Sequence, residues 1–496
     1  MISRVLGVAT LLFAANALAQ DAGSIISRTS TAMGAGNLRG LVLSGSAADV
    51  NFLQSRSISG PWPFRAVTNF TQGIDLGAVS MRATGDTNNQ GLFGGAPVAG
   101  RFNRAVTPQS AAWSQQLDYW LTPWGFLKGA AASSATTHTE RVHGRNFTVV
   151  SWSPATPRSP SGLPYVVNGY INSEGLIERV ETWVEHDMLG DMHVESVYSG
   201  YRDFGGLKVP TNMVQERGGW PYFKVLVTNV RANPNDLAQL LAAPAAAGGP
   251  ARAGGPPGGA PPAGGPPRGG APGAAAAAPP ASTRLADGVY QINGAYNSLA
   301  VEFSDYIVVV EAGQNLARGE AILAEVRRLF PTKPIAYIVN SHPHSDHSSG
   351  IAPLAAVGAT IVTHDNNVAY FEEIFNAPRT LLGDRLARSN RTVKVEGTGP
   401  MRVFTDGKQR LELYHIQDTD IESVHSDGIV VALVPGARVL FQADFTLPAA
   451  GQQANPFTKS LAQHVDRLGL DFDAYVSIHN SATPQTRADL LRTIGK

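Results

Sequence analysis

The chain has 496 residues, of which 43% are hydrophobic and 16% are charged, and it is long enough for two or more folded domains. Lysine plus arginine and aspartate plus glutamate each number 39, so the formal net charge is zero and neither nucleic acid nor an anionic membrane is indicated as a partner. Cysteine is absent, which excludes disulfides, thiolate zinc sites and a cysteine nucleophile.

The first 19 residues have the pattern of a secretory signal peptide. Arg4 supplies a positive charge, residues 5–15 form an apolar core, and small residues at 17 and 19 suit a cleavage site. The run is too short to span a membrane; the alternative is an uncleaved anchor helix. We expect cleavage after Ala19, no membrane span in the mature chain, and a periplasmic or secreted protein.

Residues 20–241 are predicted to form a mainly antiparallel β domain. Alternating apolar runs predict strands at 40–46, 65–70, 165–172, 177–185, 193–203, 208–215 and 222–230. Tryptophans at helical spacing predict one helix over 113–128, where Trp113, Trp120 and Trp124 serve the core rather than a pocket for a substrate tail. The turns at 201–210 resemble those of lipoprotein-carrier half-barrels, which implies that this domain binds a ligand or a partner.

Four histidines in this region are predicted to be ordinary surface or sheet residues, because their spacing matches no metal motif. They are His138, His143, His186 and His193.

A low-complexity segment separates the two halves of the chain. Residues 242–281 are Ala, Pro and Gly except for Arg252 and Arg268, which is too little apolar surface to offset the entropy of ordering a backbone. We therefore predict a disordered linker over 242–283. A structureless tether of this kind also predicts that the C-terminal half folds and holds its ligands without the first domain.

Residues 284–496 alternate between strand and helix patterns. Strands are predicted at 288–292, 298–303, 306–310, 335–339 and 359–362, and helices at 316–330, 350–356 and 458–468. Pro331 ends the first of these helices. Such alternation predicts helices packed over a sheet and an α+β protein overall.

Three histidines and an aspartate lie within six residues directly after the strand predicted at 335–339. They are His342, His344, Asp346 and His347. Neutral imidazoles and carboxylates are ligands of zinc and similar cations, and side chains two residues apart on a loop can face one ion. The sequence therefore predicts a metal site that can extend to a second ion. The alternative is a solvated polar turn with Asp346 as a helix cap.

This run is the HxHxDH signature of the metallo-β-lactamase superfamily, which the chain from about residue 284 onward resembles. The resemblance implies an αββα sandwich and three further metal ligands. His425 opens a turn similar to the family's HTxGD, Asp444 ends a strand similar to VLFxGD, and His479 follows an apolar strand near the C-terminus. The chain departs from the pattern at Ala443, where glycine is usual, and next to His479, which has no flanking glycine.

The resemblance also implies a mechanism. His342, His344 and His425 would hold one zinc, Asp346, His347 and His479 would hold the other, and Asp444 would bridge them. Iron and manganese are the alternative metals. A water activated between the ions would attack the substrate, with Asp346 also accepting its proton.

The implied function is a binuclear zinc hydrolase of small-molecule esters, thioesters or lactones, similar to the glyoxalase II and lactonase type because of the bridging Asp444. The alternatives are β-lactam cleavage, an iron-dependent oxidoreductase on the same fold, and a non-catalytic, metal-stabilised binding or carrier protein.

Four other polar residues of this half are predicted to support the site or the core. His364 is interpreted as structural, His415 as a residue of the core or of the surroundings of the ligands, and His464 as a helix residue near the mouth of the site. Asp427 is predicted to orient an imidazole with its carboxylate.

Overall fold

The fold is known from a computed structural model. The structure describes residues 22–60, 62–89, 98–242, 281–416, 425–445, 447, 456–479 and 484–496. The predicted signal peptide, 1–19, and residues 243–280 of the predicted linker lie outside the described residues. Within the part of the chain that is described, no helix is both long enough and apolar enough to cross a membrane.

The first domain is built on an 11-stranded sheet in which every neighbouring pair described is antiparallel. The strands are β1 (Gly40–Val50), β2 (Phe64–Asp75), β3 (Ser80–Asn89), β4 (Val98–Val106), β5 (Thr136–Val142), β6 (Arg145–Trp152), β7 (Val167–Ile171), β8 (Ile177–His186), β9 (Gly190–Phe204), β10 (Leu207–Arg217) and β11 (Trp220–Ala232). Their order in the sheet is β4-β3-β2-β1-β11-β10-β9-β8-β7-β6-β5. The predicted antiparallel domain is thus confirmed.

The helices of this domain differ from the prediction. They are α1 (Ala22–Ala32), α2 (Leu117–Trp120), α3 (Pro123–Ala131) and α4 (Leu237–Leu241). The single helix predicted over 113–128 is wrong, because Thr122 breaks it: its Oγ1 accepts a hydrogen bond from Gly125 N at 3.0 Å, and Pro123 begins the next helix. Trp113 and Trp124 are core residues, 1% and 2% exposed.

The second domain contains two sheets packed face to face. The first has seven strands in sequential order, β12 (Ser282–Ala286), β13 (Val289–Ile292), β14 (Ser298–Glu302), β15 (Ile307–Val310), β16 (Ile335–Val339), β17 (Thr360–Thr363) and β18 (Val395–Gly397). The second has six, β19 (Met401–Thr405), β20 (Arg410–His415), β21 (Val430–Val434), β22 (Val439–Gln442), β23 (Ala474–Ser477) and β24 (Gln485–Thr486). Buried side chains such as Val301, Val310 and Leu413 fill the space between them.

Helices cover the outer faces of both sheets. They are α5 (Leu316–Leu329), α6 (Ser345–Ser348), α7 (Ala352–Ala355), α8 (Asp365–Phe375), α9 (Arg385–Ser389), α10 (Pro456–Arg467) and α11 (Arg487–Leu491). Ile322 of α5 belongs to the apolar cluster of the first sheet, and Leu461 of α10 packs in the cluster of the second. The expected αββα sandwich and the α+β fold class are therefore confirmed.

The turn between β8 and β9, together with the first residues of β9, contacts the second domain through polar groups. Arg379, 4% exposed, donates to Asp187 O at 2.7 Å, and Asp191 accepts from Thr380 N and Leu381 N at 2.9 and 2.8 Å. The two domains therefore make specific contacts with each other, in spite of the long segment that separates them in sequence.

Candidate metal centre

Strand β16 delivers the histidine-rich run to the rim of the sandwich. It lies between β15 and β17, parallel to both, and the short helix α6 begins five residues after Asn340. His342, His344 and His347 are only 0%, 1% and 0% exposed. A solvated polar turn does not have such burial, so this alternative does not describe the run.

One group of ligand atoms consists of His342, His344 and His425, which all lie within 4.8 Å of one another. His425 lies five residues before β21, and its Nε2 is 3.1 Å from Nε2 of His342. The second sheet thus brings its histidine against those of the first.

A second group consists of Asp346, His347, Asp444 and His479, again within 4.8 Å of one another. Asp444 lies two residues beyond the end of β22, and His479 lies two residues beyond the end of β23. These two strands are parallel neighbours. Their side chains consequently reach the same edge of the sheet, and Nε2 of His479 is 3.3 Å from Nε2 of His347.

Asp444 lies between the two groups. Its Oδ2 is 3.1 Å from Nε2 of His342, 3.1 Å from Nε2 of His347 and 3.2 Å from Nε2 of His425. Its Oδ1 is 2.7 Å from Nε2 of His479. Among the described residues this buried Oδ2 has no hydrogen-bond partner. A carboxylate oxygen surrounded by imidazole nitrogens of both groups fits a ligand shared by two cations.

Glu311 was not identified as a site residue from the sequence. It supports two parts of residues 341–350, here called the metal loop. It is fully buried, its Oε2 accepts from His347 Nδ1 at 2.9 Å, and its Oε1 accepts from Ser341 N at 2.6 Å. Ser341 Oγ lies 2.9 Å from Nδ1 of His342. These contacts hold the Nε2 atoms of His342 and His347 toward Asp444. The acidic residue at the end of an apolar strand was the available sequence signal.

The first domain also reaches the site. Ser55 O accepts from Nε2 of His344 at 2.9 Å, and Gln54 Nε2 donates to Asp346 Oδ1 at 2.8 Å. These two partners lie almost 300 positions earlier in the chain than the residues they contact, while the expectation that the C-terminal half holds its ligands without the first domain stays a prediction.

Burial and mutual charge set the protonation of the site. Burial, reinforced by the neighbouring His347, holds the pKa of His342 well below its usual value, and burial with His425 lowers that of His344 to about 3. Burial also disfavours ionised Asp444, but the surrounding histidines, above all His347, hold its pKa well below normal. Neutral imidazoles beside an ionised carboxylate are the protonation states that bind metal.

His347 is the exception. Burial acts to lower its pKa, but Asp444, Asp346 and Glu311 together raise it well above the usual value. Metal binding would have to displace this proton. The same ion pairing lowers the pKa of Asp346, against the effect of burial.

The remaining histidines of this half lie outside the two groups. His364 and His415 stack with ring centroids 3.6 Å apart, and His415 Nε2 lies 2.9 Å from the main-chain oxygen of Asp427. Asp427 thus meets an imidazole through its carbonyl rather than its carboxylate, which corrects the prediction. His464 is buried in α10 beside Arg467, whose Nη2 is 2.7 Å from its Nδ1.

The first domain contains one further group of potential ligands, Glu181, His193 and Glu195, within 4.8 Å of one another. Arg179 lies 3.6 Å from a carboxylate oxygen of Glu181 and 3.8 Å from one of Glu195. A cation is therefore already supplied by the chain, and the group is an ion-pair network on the sheet.

The second domain is an αββα sandwich that carries two groups of potential metal ligands at its rim. The comparison with protein families agrees with this description. The model of the metallo-beta-lactamase superfamily matches residues 293–481. The matched residues all lie in the C-terminal domain.

A curated relative is the 2,4-dinitroanisole O-demethylase subunit alpha of Nocardioides sp. (strain JS1661), 26% identical over 195 residues, which cover 38% of this chain and 53% of the relative. The chain thus spans about half the length of that protein.

Two solved structures are similar to part of this chain. A metallo-beta-lactamase from Pontibacter korlensis is 18% identical with a TM-score of 0.32, and the match covers 43% of this chain and 98% of that one. The stereoselective inverting sec-alkylsulfatase Pisa1 from Pseudomonas sp. is 16% identical with a TM-score of 0.31, and the match covers 43% and 41% of the two chains.

Proposed function

We propose that the protein is a binuclear metal-dependent hydrolase that uses zinc. The observation that carries this proposal is the position of Asp444, whose Oδ2 lies 3.1 to 3.2 Å from imidazole nitrogens of both ligand groups. Structural zinc sites are usually closed by four ligands, whereas two adjoining open groups that share a carboxylate are typical of catalytic pairs.

Each ligand residue has a role in this proposal. His342, His344 and His425 would hold one ion, Asp346, His347 and His479 would hold the other, and Asp444, which lies between the two groups, would contribute to both. When bound, such a pair of ions would supply a water of lowered pKa and would polarise an oxygen of the substrate. Asp346, whose side chain is 17% exposed, would accept a proton from a water activated there, while Glu311 fixes the neighbouring His347.

The substrate class that fits best is a small ester, thioester or lactone. The bridging Asp444 supports this choice, because it is the residue by which the sequence resembles the glyoxalase II and lactonase type. A second candidate is cleavage of an activated aryl ether, because the curated relative named above is an O-demethylase subunit. The N-terminal 19 residues support export through a signal peptide cleaved after Ala19.

The test combines metal analysis with a substrate screen on the purified chain. We expect two zinc ions per chain and hydrolysis of chromogenic ester, thioester or lactone substrates, with 2,4-dinitroanisole and a chromogenic cephalosporin in the same screen. His344→Ala should abolish both metal binding at the first group and turnover. Iron with oxygen consumption would support the oxidoreductase alternative, and metal without any turnover the carrier alternative. A folded chain that binds no metal would overturn the proposal.

A further inference from the structure

We infer that residues 53–56 of the first domain, here called the strap, are part of the metal centre and that Gln54 is a positioning residue for the second ion. This inference rests on the proposed metal function. It extends it by assigning a task at the site to a domain outside the superfamily match of 293–481.

Each of the four strap residues makes at least one hydrogen bond to the metal loop or to the turn that carries His425. Leu53 O accepts from Ser345 N at 3.2 Å, Gln54 Nε2 donates to Asp346 Oδ1 at 2.8 Å, Ser55 O accepts from His344 Nε2 at 2.9 Å, and Arg56 O accepts from Asp427 N at 2.8 Å. Every partner is a proposed ligand or lies within two residues of one. The contact is therefore directed at the site rather than spread over the domain boundary.

The Gln54 contact determines which oxygen of Asp346 faces the second group. A carboxylate only accepts hydrogen bonds, so the amide nitrogen must point at it. With Oδ1 held by Gln54, Oδ2 is the oxygen that lies 3.5 Å from Nε2 of His347 and 3.8 Å from Nε2 of His479. Gln54 thus fixes the carboxylate in the orientation that a metal ligand requires.

The Ser55 contact determines which nitrogen of His344 can bind metal. A carbonyl oxygen 2.9 Å from Nε2 requires the proton on that nitrogen. Nδ1 is then the nitrogen with a lone pair for coordination. A main-chain atom of the first domain thereby selects the tautomer of a proposed ligand in the second domain.

The strap is rigidly attached to its own domain. Phe52 packs against Trp62 and Tyr222 with ring centroids 5.9 and 5.7 Å apart, and Asn51 N donates to Pro63 O at 2.8 Å across the base of the loop. Leu53 has a left-handed backbone with φ of 59°, although it is only 2% exposed. For a residue with a Cβ this conformation is unfavourable and persists only when its surroundings enforce it.

The strap also fits closely against the metal loop. Leu53, Ser55, Trp62, Pro343 and His344 line a cavity of only about 10 Å³ between the two. A space of that size is at the lower limit for a single water molecule. The contacts are therefore direct, and a change at the strap acts on the ligands without a solvent layer between them.

The experiment measures zinc affinity of the full-length chain by competition with a chromogenic chelator. Gln54→Met keeps the length of the side chain but removes the donor. We expect the affinity for the second ion to fall by about 10- to 100-fold, with the first ion retained, because partners of metal ligands have effects of that size. Ser59→Ala is the matched control, since Ser59 lies in the same loop and is exposed.

A second measurement needs no substitution. Long-range ¹H–¹⁵N correlation spectra of the zinc-loaded protein should show His344 bound through Nδ1 with its proton on Nε2. Equal zinc affinity in the wild type, Gln54→Met and Ser59→Ala, or coordination of His344 through Nε2, would overturn this inference and leave the proposed hydrolase standing. A wild-type chain that binds no zinc would overturn the proposed function itself.

Discussion

At the scale of single residues, the site depends on a carboxylate whose two oxygens each accept a hydrogen bond. Both oxygens of Glu311 are engaged, one by His347 Nδ1 and one by Ser341 N, and the side chain is fully buried. Its backbone has φ of 70°, a left-handed conformation at the end of β15 that turns the carboxylate beneath the metal loop. Glu311 therefore connects the end of β15 to the metal loop through two side-chain hydrogen bonds.

The first residue-scale prediction concerns Glu311→Gln. An amide has only one acceptor oxygen, whereas the site presents two donors, so one buried donor must lose its partner. We expect a loss of about 1–3 kcal/mol in the free energy of unfolding and about 10- to 100-fold in zinc affinity, measured by urea denaturation and chelator competition. Glu302→Gln is the control, because Glu302 lies at the end of β14 and its side chain is 33% exposed. Equal behaviour of both variants would contradict the role given to Glu311.

How far the residues of the site could be predicted depended on how locally they are encoded. His342, His344, Asp346 and His347 lie within six consecutive positions, so the sequence alone indicated a group of potential metal ligands. Their burial and grouping agree with the prediction, while their role as metal ligands stays a prediction. Ser55 had no readable signal, because its contribution is a main-chain carbonyl that every residue type carries.

At the scale of elements, α5 and the metal loop approach each other through glycines. A Cβ at Gly319 would lie 2.1 Å from the carbonyl oxygen of Gly350, and a Cβ at Gly350 would lie 2.0 Å from that of Ala312. Gly350 follows α6 by two residues and donates its N–H to Gly313 O at 2.9 Å. Because Gly319 and Gly350 have no side chains, α5 can pack directly against the backbone of the metal loop.

The element-scale prediction is therefore that Gly319→Ala destabilises the protein. In an ordinary helix this change would be favourable by roughly 0.5–1 kcal/mol. Here the methyl group must push α5 from the metal loop, and we expect a loss of about 1–3 kcal/mol in the free energy of unfolding, measured in urea. Gly436→Ala provides the comparison, since a Cβ at Gly436 meets no atom within 4 Å. A gain in stability for Gly319→Ala would show that α5 moves freely.

The elements themselves were predicted unevenly. The strand runs of both domains followed from alternation and from the family resemblance, and the structure contains strands in all of them. The helix over 113–128 was joined in error, although Thr122 and Pro123 form a recognisable start signal at which the chain begins a new helix. Helix α1 was not predicted.

At the scale of the whole molecule, the two domains contact each other at the strap and at the turn between β8 and β9. His186 ends β8 beside this turn, and its Nδ1 accepts hydrogen bonds from Met188 N and Leu189 N, both at 3.2 Å. Burial, with the nearby Arg379 and Arg217, lowers the pKa of His186 to about 3. Protonation would remove both hydrogen bonds and place a charge beside Arg379.

The whole-molecule prediction concerns acid. Because the folded-state pKa lies below the ordinary value of 6.5, the unfolded chain binds the proton first, and the contribution of His186 is complete above pH 6.5 and declines as the pH falls toward 3. This adds up to about 1.4 kcal/mol per pH unit to the slope of unfolding free energy against pH. His186→Asn, which keeps an acceptor but does not titrate, should have a smaller slope between these values in denaturation series. Parallel slopes would contradict the prediction.

The arrangement of the domains was the least predictable feature. Composition marked residues 242–283 as a linker, and a linker of that kind carries no information about whether its ends meet. The docking of Asp191 on Thr380 and Leu381 depends on a side chain and two main-chain groups nearly 190 positions away. No local pattern in the sequence records such a pairing.

Three of the four strap residues bond to the second domain through their peptide carbonyls, and this limits how the connection between β1 and β2 can vary in length. Replacing the side chains at 53, 55 or 56 leaves those oxygens in place. Inserting or removing a single residue would move them by about 3.8 Å, the spacing of consecutive Cα atoms. Surface loops generally tolerate changes of length better than the elements they join. In this connection we expect the reverse: a change of length should disturb the carbonyl contacts more than a change of the side chain at 53, 55 or 56.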